Sequence, residues 1–120
     1  MGYERGASDI HITVGRPPVL RIDGNLQNVD AAILEPRDTE AYVRGITADV
    51  YLQRIAEVGG ADFAYAFGDV CRFRVSAFKQ KGFYQLTLRI IPTRVLSFET
   101  LGLTHPKITE MMYTPRGLIL

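Results

Sequence analysis

The sequence predicts an α+β fold, an antiparallel sheet with helices packed on one of its faces. Three observations carry this. Short segments near both ends of the first ninety residues alternate apolar and polar side chains with the period of a strand. One central stretch has the 3.6-residue period of helices. The order of elements is ββ, αα, βββ, which segregates strands from helices instead of alternating them.

Residues 8–14 alternate strictly, with Ile10, Ile12 and Val14 on one side and Asp9, His11 and Thr13 on the other. That is a half-buried strand. Arg16-Pro17-Pro18 interrupts it, because proline cannot donate to a sheet ladder. Residues 19–22 form a second short strand, and Asp23-Gly24-Asn25 makes a hairpin turn. Residues 36–58 are helical. Pro36 suits a first helical turn, and Ala41, Tyr42, Val43 and Ile46 form an apolar stripe. Thr47 is positioned to cap a second helix with the stripe Val50, Tyr51, Ile55 and Val58, and Gly59-Gly60 stops it.

Alternation then returns. Phe63, Tyr65 and Phe67 share a face; in the next strand Phe73, Val75 and Ala77 point inward while Arg72, Arg74 and Ser76 point outward. Phe78 breaks that parity, which predicts a bulge or a covered outer face. Lys81-Gly82 turns the chain into a last strand with Leu86, Leu88 and Ile90 inward and Gln85, Thr87 and Arg89 outward. Pro92 to Thr104 reads as a linker and Pro106 to Tyr113 as a short helix with the stripe Ile108, Met111 and Met112. The apolar run Gly117-Leu118-Ile119-Leu120 has the composition of a strand buried on both faces and predicts the opening strand of a second domain. The alternative is an edge strand of the same domain.

Composition bounds the function. A chain of 120 residues, 47% hydrophobic and 22% charged, is globular, which excludes disordered and fibrous classes. No apolar run reaches the roughly 18–20 residues that span a bilayer, and the N-terminus lacks an apolar signal region, so export is not expected. The single cysteine, Cys71, reads as a strand residue of a protein in a reducing compartment. The histidines, His11 and His105, lie far apart with no metal-ligand spacing. Asp9 and His11 share a strand face, which reads as an exposed polar ladder. No GxSxG, GxGxxG or GxxxxGK[ST] motif occurs, so no catalytic residue and no metal ligand is assigned.

Charge is more telling than its sum. The net charge is +1, yet residues 23–69 carry about nine acids and three bases, and residues 70–98 about six bases and no acid. Most of the basic residues are arginine, the side chain suited to bidentate grip on phosphate or carboxylate. Arg74 and Arg89 fall on adjacent strands and on the polar face. Paired as a hairpin, they converge on one anion. Their acidic partner is expected from residues 23–69, from another subunit or from a ligand. The aromatics Phe63, Tyr65, Phe67, Phe73 and Phe83 either fill the core or wall a small-ligand cavity. Phe73, Phe78 and Phe83 among basic strands suggest a nucleic-acid platform, but near-neutral total charge argues against that partner.

Taken in order, GASDIHITVGRPPVLRIDGNL, DFAYAF, CRFRVSAFKQKG, LRIIP, SFETLGL and PRGLIL resemble the start of PilT-type ATPases, the type IV pilus retraction (twitching motility) motors of the secretion-ATPase superfamily. The resemblance spans nearly the whole chain. It implies a PAS-like N-terminal domain at 1–91, an interdomain linker at 92–104, and at 105–120 the truncated start of a RecA-like motor whose phosphate loop follows. The implied parent is a hexameric ATP-hydrolysing ring, cytoplasmic and peripheral at the inner membrane, that uses ATP and Mg2+. A fragment without the phosphate loop is expected to be inactive alone and to bind no cofactor. Implied partners are its own motor domain, neighbouring subunits and the pilus inner-membrane platform protein. The resemblance carries an ATP-phosphate contact onto Arg74 and Arg89, and less directly onto Arg72 and Arg94. There are departures. Lys79 and Lys81 stand where the family usually has arginines, and Cys71 replaces a usual glycine. The alternative reading is a PAS-like ligand-sensing or protein-interaction module.

Overall fold

The computed structural model describes residues 2–92 and 97–118. Six strands form one sheet: β1 Asp9–Ile12, β2 Val19–Ile22, β3 Asn25–Asn28, β4 Gly60–Phe67, β5 Cys71–Gln80 and β6 Phe83–Ile91. Helices α1 Pro36–Ile46 and α2 Asp49–Val58 lie between β3 and β4, and α3 Pro106–Met112 follows the sheet. The spatial order is β3-β2-β1-β6-β5-β4, and every neighbouring pair is antiparallel.

The α+β expectation holds, with one more strand than the sequence pattern marks. β3 was not foreseen because Asn25-Leu26-Gln27-Asn28 is exposed throughout, so no face selects apolar residues. The turn before it has positive φ at both Asp23 and Gly24, the two-residue arrangement whose twist matches a hairpin. Lys81 and Gly82 repeat that geometry between β5 and β6. β1 is shorter than residues 8–14, ending at Ile12.

One face of the sheet receives the helices. Val43 of α1 and Ile55 of α2 are fully buried against Phe63, Phe73, Val75, Ala77 and Leu86. Burying such a side chain stabilises by roughly 1.5–3 kcal/mol, so this layer anchors the domain. The helix stripes differ from those the sequence suggests. In α1, Thr39 and Val43 are buried, whereas Ala41 and Tyr42 are exposed. In α2, Tyr51, Leu52 and Ile55 face the sheet, and Val50 and Val58 face solvent. The α1 start is set by Pro36 and by Asp38, whose carboxylate accepts the backbone N–H of Glu35 at 2.8 Å. Thr47 does not cap α2. Ala48 holds that place, and the buried Thr47 hydroxyl finds no partner among the described residues. Gly59 ends α2 in the left-handed conformation, as expected.

The predicted alternation holds in β5 and β6. No bulge forms at Phe78: its register runs unbroken between Gly60 and Gln85. Gly60 makes room, since a Cβ there would stand 3.3 Å from the Cβ of Phe78. Helix α3 forms as expected, but none of its residues is fully buried: Ile108 of its stripe is half-buried, and Met111 and Met112 are exposed. Gly117 and Leu118 are not in a strand, and Leu118 is exposed. The rest of the predicted terminal strand, residues 119 and 120, lies outside the described residues.

Candidate anion site on the outer face of the sheet

The face opposite the helices carries the polar side chains. Because β5 and β6 are joined by a two-residue turn, residues equally distant from it stand opposite each other, and Arg74 pairs directly with Arg89. Asp9 of β1 pairs with Arg89 from the other side, and Arg21 of β2 pairs with Asp9. One transverse row therefore reads Arg21, Asp9, Arg89, Arg74. The next row reads His11, Thr87, Ser76, Asp62. Asp9, Arg74, Arg89, Ser76 and Thr87 line one shallow depression of about 280 Å³.

Asp9 organises this row. Its side chain is only 7% exposed, yet Arg89 is 69% exposed and Arg21 is 38%. The Arg89 Nε donates to Asp9 Oδ1 at 2.9 Å, and Ser8 Oγ donates to Oδ2 at 2.9 Å. Arg21 Nε approaches Oδ2 at 3.6 Å, and its Nη1 donates to the Gly24 carbonyl at 3.0 Å. Burial pushes the Asp9 carboxyl up, but the hydrogen bonds from Arg89 and Ser8 and the charges of Arg89 and His11 outweigh it. The net position is below the ordinary carboxylate value. His11 is lowered too, which for a base disfavours the charged form: burial, then Arg21 and Arg16 nearby, outweigh the attraction of Asp9. Its Nδ1 lies 3.4 Å from Thr87 Oγ1, and its buried Nε2 has no partner among the described residues. Ser76 donates to Asp62.

Two expectations need correction here. The acid that meets Arg89 is Asp9, not a residue from 23–69. Asp9 is likewise buried and bonded to Arg89, not part of an exposed ladder with His11. β1 reaches β6 only through sheet pairing across 80 residues of sequence, which no local pattern announces. Arg74 is exposed, and among the described residues no carboxylate stands within ion-pair distance of it. Two like charges directly opposite each other destabilise a sheet, and Asp9 offsets only one of them.

Arg72 is exposed on the same face. It lies beside Ile91 and Ala66 and lines a separate depression with Asp69 and Pro92. It does not join the Arg74–Arg89 pair. Arg94 lies outside the described residues. Cys71 is a buried free thiol. Phe63 stacks on Tyr51 and Tyr65 on Phe73; Tyr65, Phe67 and Phe73 also line a mostly apolar cavity of about 400 Å³ with Ile10, Ile46 and Leu88, while Phe83 is exposed. Among the described residues no group of three or more His, Cys, Asp or Glu is placed to hold a metal ion.

No protein-family model matches the chain. It is 34% identical over 119 residues to the type IV pilus retraction ATPase PilT of Pseudomonas aeruginosa, covering 98% of this chain and 34% of that protein. Against the type IV pilus ATPase PilU of the same organism it is 35% identical over 118 residues, covering 98% of this chain and 30% of that one. A crystal structure of the pilus retraction motor PilT with bound ADP superposes with a TM-score of 0.79 at 37% identity, over 92% of this chain and 32% of that one. In sheet, helical cover and sequence the chain matches the N-terminal domain of PilT, consistent with an N-terminal domain of the secretion-ATPase class. It is homologous to the type IV pilus ATPases PilT and PilU. The chain spans about a third of the length of the relatives it matches.

Proposed function

We propose that this chain is the N-terminal part of a hexameric ATPase that powers type IV pilus retraction and twitching motility. In this reading residues 1–91 are the PAS-like domain, 92–104 the linker and 105–120 the opening of a RecA-like motor. The protein works in the cytoplasm at the inner membrane, with its own motor domain, neighbouring subunits and the membrane platform protein of the pilus as partners. Arg74 and Arg89 meet the phosphates of ATP held by the motor.

The observation that carries the reading is the direct pairing of Arg74 with Arg89 on an exposed face. A fold that needed only stability would not set two guanidiniums opposite each other with one acid between them and a third arginine. The donor set fits a polyphosphate. Arg74 offers its whole fork, Arg89 keeps its terminal nitrogens beyond the Nε that Asp9 holds, and Ser76 and Thr87 add hydroxyls in the same depression. It does not fit Mg2+, since Asp9 is already shared by two arginines and a serine. The metal belongs to the motor side. ATP supplies the phosphoryl group. This chain's residues bind its negative charge, orient it and stabilise the charge that grows on transfer.

Placing the cations on one domain and the phosphate loop on another couples nucleotide state to domain angle. ATP shifts that angle only as far as its contacts differ between closed and open arrangements. The linker absorbs the rotation. The test is the complete motor with Arg74→Ala or Arg89→Ala. ATP turnover and retraction are expected to fall at least tenfold with ring assembly intact. Unchanged turnover in both variants overturns the reading.

A further inference from the structure

We propose that Asp9 is a positioning and attenuating residue of the anion site: it fixes Arg89 on the outer face and cancels part of its charge, so the isolated face grips phosphate weakly. The inference rests on the anion-site reading above and concerns how that site is set.

The geometry gives Asp9 both roles at once. It binds Arg89 through Nε, the nitrogen nearest the chain, and so constrains the direction of the guanidinium while its terminal nitrogens stay free. Ser8 and Arg21 hold the other carboxylate oxygen, so the carboxylate cannot turn away with Arg89. Sheet pairing on both sides of β1 fixes the Asp9 backbone. A buried carboxylate attracts a neighbouring cation more strongly than an exposed one, because less water screens it. Of the charges that line the depression, Arg74 and Arg89 are positive and Asp9 is negative; Arg21 stands behind Asp9, beside its other carboxylate oxygen. Asp62 stands one row away, bonded to Ser76. Removing the charge of Asp9 while keeping its shape therefore raises the positive potential felt by an anion.

The consequence runs against the usual direction of a mutation. Loss of structure weakens binding, so a variant that tightens it reports on charge. The probe is inorganic triphosphate, titrated into the 120-residue chain and followed by guanidinium resonances of 15N-labelled arginine. Asp9→Asn keeps an acceptor for the Arg89 Nε–H and is expected to bind triphosphate about three- to tenfold more tightly than the unaltered chain, with the gain abolished by Arg74→Ala. In the unaltered chain the Arg89 Nε–H is expected to stay protected at saturating triphosphate, while the Arg74 signals move; this measurement needs no variant.

The outcomes separate cleanly. Triphosphate binding that depends on Arg74 but does not tighten in Asp9→Asn keeps the anion site and overturns the role of Asp9. Loss of Arg89 Nε–H protection on binding does the same, because Arg89 then leaves Asp9 for the anion. No binding by either form overturns both.

Discussion

Arg89→Ala and Arg74→Ala remove the same side chain from neighbouring positions on one face, yet they are expected to affect stability very differently. Arg74 has no carboxylate partner among the described residues and faces a like charge, so its loss costs within about 0.5 kcal/mol and can be slightly stabilising. Arg89 leaves behind Asp9, whose side chain is 7% exposed. Breaking a fully buried pair costs roughly 3–5 kcal/mol, and an exposed pair about 0–1. This pair lies between, with a screened arginine and a buried acid, and Arg21 and Ser8 remain to share the charge. The expected loss is about 1–2 kcal/mol, or a fall in the urea midpoint of roughly 1 M for a domain of this size. A double-mutant cycle with Asp9→Ala isolates the pair and is expected to give a coupling of about 1 kcal/mol at pH 7. The coupling is expected to shrink as pH falls through the lowered folded value of Asp9, since protonation removes the charge. A coupling below about 0.3 kcal/mol at pH 7, or Arg74→Ala costing as much as Arg89→Ala, refutes the reasoning.

Other consequences follow from the same geometry. Val43→Ala opens a void under a fully buried site on α1 and is expected to cost about 1–2.5 kcal/mol in urea unfolding, without moving the arginine resonances. Lys81 holds φ +52 in the hairpin turn, so Lys81→Asn is expected to stabilise by about 0.5 kcal/mol in thermal unfolding. Acid sensitivity has two windows. His11 lies below its ordinary 6.5, so the unfolded chain takes up the proton first and stability falls as pH drops below about 6.5; His11→Gln is expected to flatten that slope. Asp9 lies below its ordinary 3.8, so its contribution is complete above that value and is lost as pH falls through its lowered folded one; Asp9→Asn flattens this second slope.

Much of the site was legible because hairpin geometry is local. Once Lys81-Gly82 is read as a two-residue turn, counting back along both strands sets Arg74 against Arg89, and alternation puts both on the polar face. Asp9 was not legible in its role. Alternation gave it the right face, but which strand lies beside β1 depends on how the sheet closes, and that information is spread over the whole chain. β3 escaped for a different reason: with both its faces in water, its residues have no period to display. Hydrophobicity alone assigns the wrong face of the helices at Tyr42, Val50 and Val58, all of which are exposed. Thr39 lies fully buried instead, its hydroxyl donating to the Pro36 carbonyl at 3.1 Å. A polar residue whose hydrogen bond is met within its own helix can take an apolar place.

Whether Arg74 and Arg89 act together on one anion is read most directly from their guanidinium resonances as inorganic triphosphate is added. Both are expected to shift along one saturable curve with a single dissociation constant, while Arg54 on α2 shows no saturable shift. Separate constants for the two arginines, or a response indistinguishable from that of Arg54, would contradict it.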